Sequence, residues 1–212
     1  MDKKSVQKSL NELKENTSKR NFSQTFDLVI NLKNFDPKSN SVNEFITMPF
    51  SKGKKPKVAA LVGTELKDQA KLHCDLVIPE SEFSNYDQKQ SKKLAQDYDY
   101  FIAQATLMPQ IAKAFGKALG TRGKMPNPKI GCVVPPNANL APLIEKLNRV
   151  VQVATKKATN LQCAVGNESM PDEEIVENIL AVYHGIVRAL PNELQNVKKV
   201  QLKLTMGKPV TL

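Results

Sequence analysis

The sequence predicts a protein of mixed α/β and α+β class in two domains. A discontinuous α+β domain is built from both chain ends, and a Rossmann-like three-layer domain is inserted between them. Three observations predict this. Apolar residues alternate with polar ones near the chain ends, whereas the middle carries continuous apolar runs such as Val58-Ala59-Ala60-Leu61-Val62, the mark of strands buried on both faces. Strand-like and helix-like segments alternate through the middle, which implies a parallel sheet covered by helices. A basic Gly/Pro-containing connector, Ser51-Lys52-Gly53-Lys54-Lys55-Pro56-Lys57, stands where the pattern changes. Residues 1–55 and 153–212 are assigned to the first domain, and residues 56–152 to the second.

Each element has its own signal. Val6, Leu10 and Leu13 fall at helical spacing in a helix from Lys3 to about Asn16. Phe26, Leu28, Ile30 and Leu32 alternate within a strand spanning Phe22–Leu32. Phe35-Asp36-Pro37 breaks it, Lys38 to Asn43 reads as polar loop, and Glu44–Phe50 reads as a short strand. The inserted series is strand 58–62, helix 65–72, strand 75–78, helix 91–96, strand 100–103, helix 107–119, strand 130–134 and helix 140–149. Val153–Val165 is expected to form a hairpin turning around Lys157–Asn160. Met170-Pro171-Asp172-Glu173-Glu174 is a helix start, with Asp172 able to cap a helix running to Leu190. Val197–Thr205 alternates as a final strand, which ends beside a polar tail.

Composition narrows function. The chain has 212 residues and a formal net charge of +10, which favours a polyanionic partner. Between Tyr100 and Asn167 the only acid is Glu145, against Lys113, Lys117, Arg122, Lys124, Lys129, Lys146, Arg149, Lys156 and Lys157. No apolar run approaches the roughly 20 residues that span a bilayer, and no signal-like segment follows Met1, so a cytoplasmic protein without a membrane partner is expected. Cys74, Cys132 and Cys163 are odd in number and fit no zinc spacing. The adjacent His73 and Cys74 read as an ordinary helix-end pair.

The strand–helix rhythm invites an enzyme reading, which the motifs oppose. Val62-Gly63-Thr64-Glu65 carries one glycine where a dinucleotide site needs several. There is no phosphate-cradling loop, nucleophile elbow or Ser/His/Asp series, so neither catalysis nor a cofactor is expected. Gly116–Lys129 is an irregular cationic loop able to offer amides and cations to phosphate, or merely a turn that closes the domain. At the end of the last strand, Thr205 can bond a ribose 2′-hydroxyl, Met206 is pliable apolar surface, and Gly207 permits close backbone approach.

Five segments, taken together and in order, resemble the L-one family of large-subunit ribosomal proteins, in its archaeal branch. They are Arg20-Asn21-Phe22-Ser23-Gln24-Thr25-Phe26-Asp27-Leu28, Phe101-Ile102-Ala103-Gln104-Ala105, Leu119-Gly120-Thr121-Arg122-Gly123-Lys124-Met125-Pro126, Val165-Gly166-Asn167-Glu168 and Leu204-Thr205-Met206-Gly207. Two positions depart from the usual pattern: Lys208 and Thr121 each stand where a Pro is common. The resemblance implies that the first domain binds large-subunit ribosomal RNA at the lateral stalk. It implies assistance to release of deacylated tRNA from the exit site and repression of the protein's own messenger RNA. It implies a ribosome-bound protein that is a monomer off the ribosome. By position, Phe22, Thr25, Thr205, Met206 and Gly207 match the family's RNA-contact motif and Asp27 an acidic position in it. Arg20, Asn21 and Lys203 complete the expected RNA-binding set. A ribosome-assembly factor of the same fold, binding precursor ribosomal RNA, is the alternative.

Overall fold

A computed structural model describes residues 1–18, 20–37, 40–155 and 158–212. In chain order the elements are α1 (Lys3–Glu15), β1 (Thr25–Leu32), β2 (Asn43–Thr47), β3 (Val58–Val62), α2 (Lys67–His73), β4 (Leu76–Pro79), α3 (Gln88–Asp97) and β5 (Tyr100–Gln104). There follow α4 (Met108–Gly120), β6 (Val133–Val134), α5 (Ala141–Arg149), β7 (Val150–Ala154), β8 (Asn160–Asn167), α6 (Asp172–Ala189), β9 (Val197–Leu204) and β10 (Val210–Thr211). Two compact units result: Met1–Lys54 with Arg149–Leu212, and Lys55–Asn148. Residues 149–152, assigned from sequence to the insertion, lie with the terminal unit, because β7 pairs with β2 of that unit.

The terminal unit is a four-stranded antiparallel sheet of order β10-β9-β1-β8, with α1 and α6 on one face. Phe26, Leu28 and Ile30 of β1 meet Val6, Leu10 and Leu13 of α1, and Ile175, Ile179 and Val182 of α6, in one apolar core. Fully burying each such side chain is worth about 1.5–3 kcal/mol. The exposed Lys3–Glu177 ion pair between the same helices, worth about 0–1 kcal/mol, is minor beside it. The opposite sheet face is polar and half exposed, with Asp27 and Asn31 on β1 and Gln201 and Lys203 on β9.

Three sequence expectations need correction here. The hairpin does not form: β7 pairs antiparallel with β2, and β8 with β1, in separate sheets. Thr155 explains the choice, since its backbone N–H donates to the Val42 carbonyl at 2.8 Å and its Oγ1 accepts from the Val42 N–H at 2.9 Å. The expected turn at Lys157, with Lys156, and Lys38 of the expected polar loop, lie outside the described residues. Asp172 does not cap α6; it is the helix's first residue, after Pro171, and its carboxylate accepts from Lys14 Nζ of α1. The residues after Gly207 are not a free polar tail, because β10 pairs with β9 and Leu212 packs on the core.

The inserted unit is a parallel sheet of order β4-β3-β5-β6. Ala59, Leu61, Phe101 and Ala103 share a core with Leu94, Ile111, Phe115 and Leu119 of α3 and α4. The alternate residues Val58, Ala60, Val62 and Ile102 are equally buried and point to the opposite face, so β3 is covered on both sides. The predicted strand 130–134 shrinks to Val133–Val134. Pro128–Ile130 is a 3-10 turn in which the Asn127 side chain accepts from the Lys129 N–H at 2.9 Å, and Gly131 leaves it at φ 85°. Burial pushes the Cys132 and Cys163 thiols up to about 12, and burial with the nearby Asp75 carboxylate pushes Cys74 to about 11. None resembles an activated thiolate.

Gly185 in α6 fixes how closely the helix lies on β2. A Cβ there would meet Ile46 Cδ1, Cγ2 and Cγ1 at 2.9, 3.0 and 3.1 Å. Gly185→Ala is expected to destabilise the protein by about 1–2 kcal/mol, because overpacking outweighs the helix-propensity gain of roughly 0.5–1 kcal/mol. A denaturant titration with an unchanged or raised midpoint would refute this close packing.

Candidate nucleic-acid interface

The inward file of β1 extends beyond the strand's start. Phe26, Leu28, Ile30 and Leu32 face the core, and two residues before Phe26 stands Gln24, which is 0 % exposed. A buried amide must find partners for both its ends. Gln24 Nε2 donates to Glu168 Oε1 at 3.1 Å, and its Oε1 accepts from the Met206 N–H at 3.1 Å. Its backbone N–H donates to Glu168 Oε2 at 2.8 Å, and its carbonyl accepts from the Glu168 N–H at 3.0 Å. One residue thus ties the start of β1, the end of β8 and the turn after β9.

Neighbouring contacts tighten the same corner. Thr205 Oγ1 accepts from the Thr25 N–H at 3.1 Å and donates to the Thr25 carbonyl at 3.4 Å. Ser23 Oγ donates to Asn167 Oδ1. The Gly207 N–H donates to the Leu204 carbonyl at 3.0 Å and closes the turn. A Cβ at Gly207 would meet Leu204 Cβ at 3.2 Å and Thr17 Oγ1 at 3.3 Å, so the crowding that favours glycine comes from the protein's own chain.

Three of the five motif segments therefore converge. Around them Phe22 is 51 % exposed and Met206 61 % exposed, and Arg20, Asn21 and Thr205 are also exposed. Asp27 and Lys203 lie opposite each other on β1 and β9, and Gln162 Nε2 reaches Asp27 Oδ2 at 3.5 Å. Burial raises the Asp27 carboxyl above its ordinary value, with Lys203 and Gln162 partly opposing. Sequence reasoning did not single out Gln24 or Glu168 as positioning residues. The signal was there: Gln24 continues the inward alternation of β1, where a polar residue demands a partner.

The other two segments lie in the inserted unit. Gln104 ends β5, and its Oε1 accepts from the Gly63 N–H at 2.8 Å. In the basic loop, Lys124 Nζ donates to the Tyr98 carbonyl at 2.7 Å, and burial lowers its pKa from the ordinary lysine value. Thr121 Oγ1 donates to the Lys117 and Ala118 carbonyls and so finishes α4 without a proline. Lys124 is committed to holding the loop, while Arg122 and Lys129 are exposed.

The family model described as "Ribosomal protein L1p/L10e family" matches residues 13–208. A protein named large ribosomal subunit protein uL1 from Nanoarchaeum equitans is 43 % identical over 196 residues, covering 91 % of this chain and 92 % of its own. Proteins of the same name from Methanothermococcus thermolithotrophicus and Methanocaldococcus jannaschii are 39 % and 37 % identical, covering 100 % and 99 % of this chain and 99 % and 95 % of their own.

The raised Asp27 pKa makes a signed prediction. A carboxyl whose pKa rises on folding binds its proton more tightly in the folded state. Its charge therefore opposes folding above the folded pKa, and the penalty fades as pH falls through that value. Asp27→Asn is expected to unfold at a higher temperature than wild type at neutral pH, with the advantage shrinking on acidification. Melting curves across pH in which the advantage is absent, or grows towards acid, would contradict burial as the dominant cause.

Proposed function

The chain belongs to the ribosomal protein L1p/L10e family, and from that premise we propose that it is a structural protein of the large ribosomal subunit in the cytoplasm. In this reading the terminal unit binds large-subunit ribosomal RNA at the lateral stalk through the corner gathered by Gln24. The carrying observation is that corner itself: segments some 140 to 180 residues apart are locked together, yet Phe22 and Met206 are left outside the core.

Each group has a role suited to RNA. Phe22 offers a ring for an unstacked base, and Met206 offers adaptable apolar surface. A hydroxyl has two acceptor lone pairs; the Thr25 N–H takes one at Thr205, leaving one for a ribose 2′-hydroxyl. The Asp27 carboxylate accepts from a 2′-hydroxyl in the same way. Arg20 and Lys203 meet phosphates, and Asn21 adds a polar contact at the rim. Gly207 lets the turn lie flat where the RNA backbone passes. Assistance to release of deacylated tRNA from the exit site follows as part of the same reading. So does repression of the protein's own messenger RNA, through a messenger structure that competes for this corner.

Phe22→Ala and Met206→Ala in the full chain are expected to weaken binding to a stalk fragment of large-subunit RNA about tenfold each, or about 1.4 kcal/mol, with unchanged melting temperature. Gly207→Val is expected to lose affinity and stability together, since its side chain strikes Leu204 and Thr17. Filter binding that shows wild-type affinity for both Phe22→Ala and Met206→Ala would remove the site. A wild-type chain that fails to sediment with mature large subunits would remove the ribosomal role.

Affinity is also expected to fall linearly on logarithmic salt axes, with a slope counting the few phosphate contacts. A remainder carried by stacking and ribose contacts should persist at high salt. Complete loss at moderately raised salt would mark a nonspecific cationic binder instead.

A further inference from the structure

The inserted unit places its first strand, β3, between the second and third, β4 and β5. The crevice of such a doubly wound sheet opens at the carboxyl ends of its strands, where the chain order reverses. A cavity of about 520 Å³ lies there, lined among others by Gly63, Glu65, Glu80, Gln104 and Thr106. That volume is in the range of small-molecule sites.

The polar groups of this cavity are oriented. Gln104 is 6 % exposed, and its Oε1 is held by the Gly63 N–H at 2.8 Å. An N–H can only be met by the amide oxygen, so Nε2 is the donor left over, and it has no protein partner among the described residues. Gly63 makes this seat possible, since a Cβ there would stand 2.9 Å from Gln104 Oε1. At the end of β4, Glu80 Oε1 accepts from Gln110 Nε2 at 2.8 Å. That bond steadies the carboxylate and leaves Oε2 as an acceptor.

This pairing selects a ligand chemistry. The carboxylates of Glu65 and Glu80 repel phosphate, and the glycines that would cradle a pyrophosphate are absent. A simple cation gains nothing from Gln104 Nε2, which presents N–H groups and no lone pair. Neutral vicinal hydroxyls carry both complementary groups, a donor for Glu80 and an acceptor for Gln104. An acid beyond the second strand of a doubly wound sheet is also where this architecture holds ribose hydroxyls. A second hollow of about 400 Å³ shares Glu80 and brings Tyr86 to its wall, an aromatic surface on which a base stacks.

We propose that this crevice binds the unphosphorylated cis-diol of a ribose, with Gln104 as donor, Glu80 as acceptor and Tyr86 beside the base. The ribose comes either from a free nucleoside or from the 3′-terminal residue of an RNA chain.

The test uses the full chain, isotopically labelled, with the Gln104 side-chain amide signals followed by NMR. The probes are adenosine, 2′,3′-dideoxyadenosine, and a short RNA oligonucleotide with either a free 3′-diol or a 3′-phosphate. Saturable shifts of Gln104 with adenosine, about tenfold weaker for the dideoxy compound, are expected if the nucleoside is the ligand. Shifts with the diol-ended oligonucleotide, and not its 3′-phosphate form, identify an RNA end. Glu80→Gln, at an exposed rim position, should weaken whichever ligand binds about tenfold, with unchanged melting temperature and unchanged affinity for stalk RNA. Gln104 signals unmoved by every probe, equal binding of the dideoxy or 3′-phosphate forms, or full affinity in Glu80→Gln would each overturn the proposal.

Discussion

The corner of the terminal unit depends on one buried amide, Gln24. Wholly enclosed, it has no water to satisfy it, so its partners on β8 and after β9 are obligatory. It makes four hydrogen bonds, two from its side chain and two from its backbone, and all go to Glu168 or Met206. Losing either partner strands the amide at about 1–3 kcal/mol. That asymmetry holds three distant stretches of chain in one geometry. The Met206 backbone is fixed directly by Gln24 and Phe22 lies two residues before it, while both side chains stay exposed.

The same device recurs through the fold. Asn178 in α6, also fully buried, accepts from the Phe50 N–H and donates to the Val165 and Ser51 carbonyls. It fastens the helix to β8 and to the segment leaving the unit. Asn196 accepts from the Asn192 N–H and donates to the Lys33 and Asn34 carbonyls before β9 begins. Gln104 uses its acceptor end alone to tie the end of β5 to the residue after β3. A neutral amide carries both a donor and an acceptor and avoids the desolvation penalty of a buried ion.

What was legible in the sequence follows from the range of each interaction. Helix α1 and strands β1 and β9 were readable because a single burial pattern repeats along them, and β3 because every residue of it is apolar. The partner of β7 was not readable: β2 lies about a hundred residues away, and the decision rests on Thr155 and Val42. The short strand β6 was overextended because Ile130 and Cys132 are buried, as strand residues are, while Asn127 and Gly131 turn the backbone. At the candidate interface the motif segments could be found by resemblance, and their residue types suited RNA. Their assembly could not be read without three-dimensional neighbours, since Glu168 looks like any exposed acid until it is seen against Gln24.

Charge then takes a different role from the one that composition implied. A net charge of +10 draws any polyanion, but the corner built by Gln24 contains two acids, Glu168 and Asp27. Both Glu168 oxygens are occupied by the Gln24 backbone and side-chain N–H groups, so its charge is spread over donors that the fold itself requires. Asp27 lies opposite Lys203 and within reach of Gln162. Neither acid is bare towards an approaching phosphate. A surface of this kind gains little from attraction alone and much from placement: an exposed ring, a pliable thioether, a hydroxyl with one free lone pair. For the proposed RNA partner, diffuse lysines would then set how often the two meet, and the rigid corner how selectively they stay together.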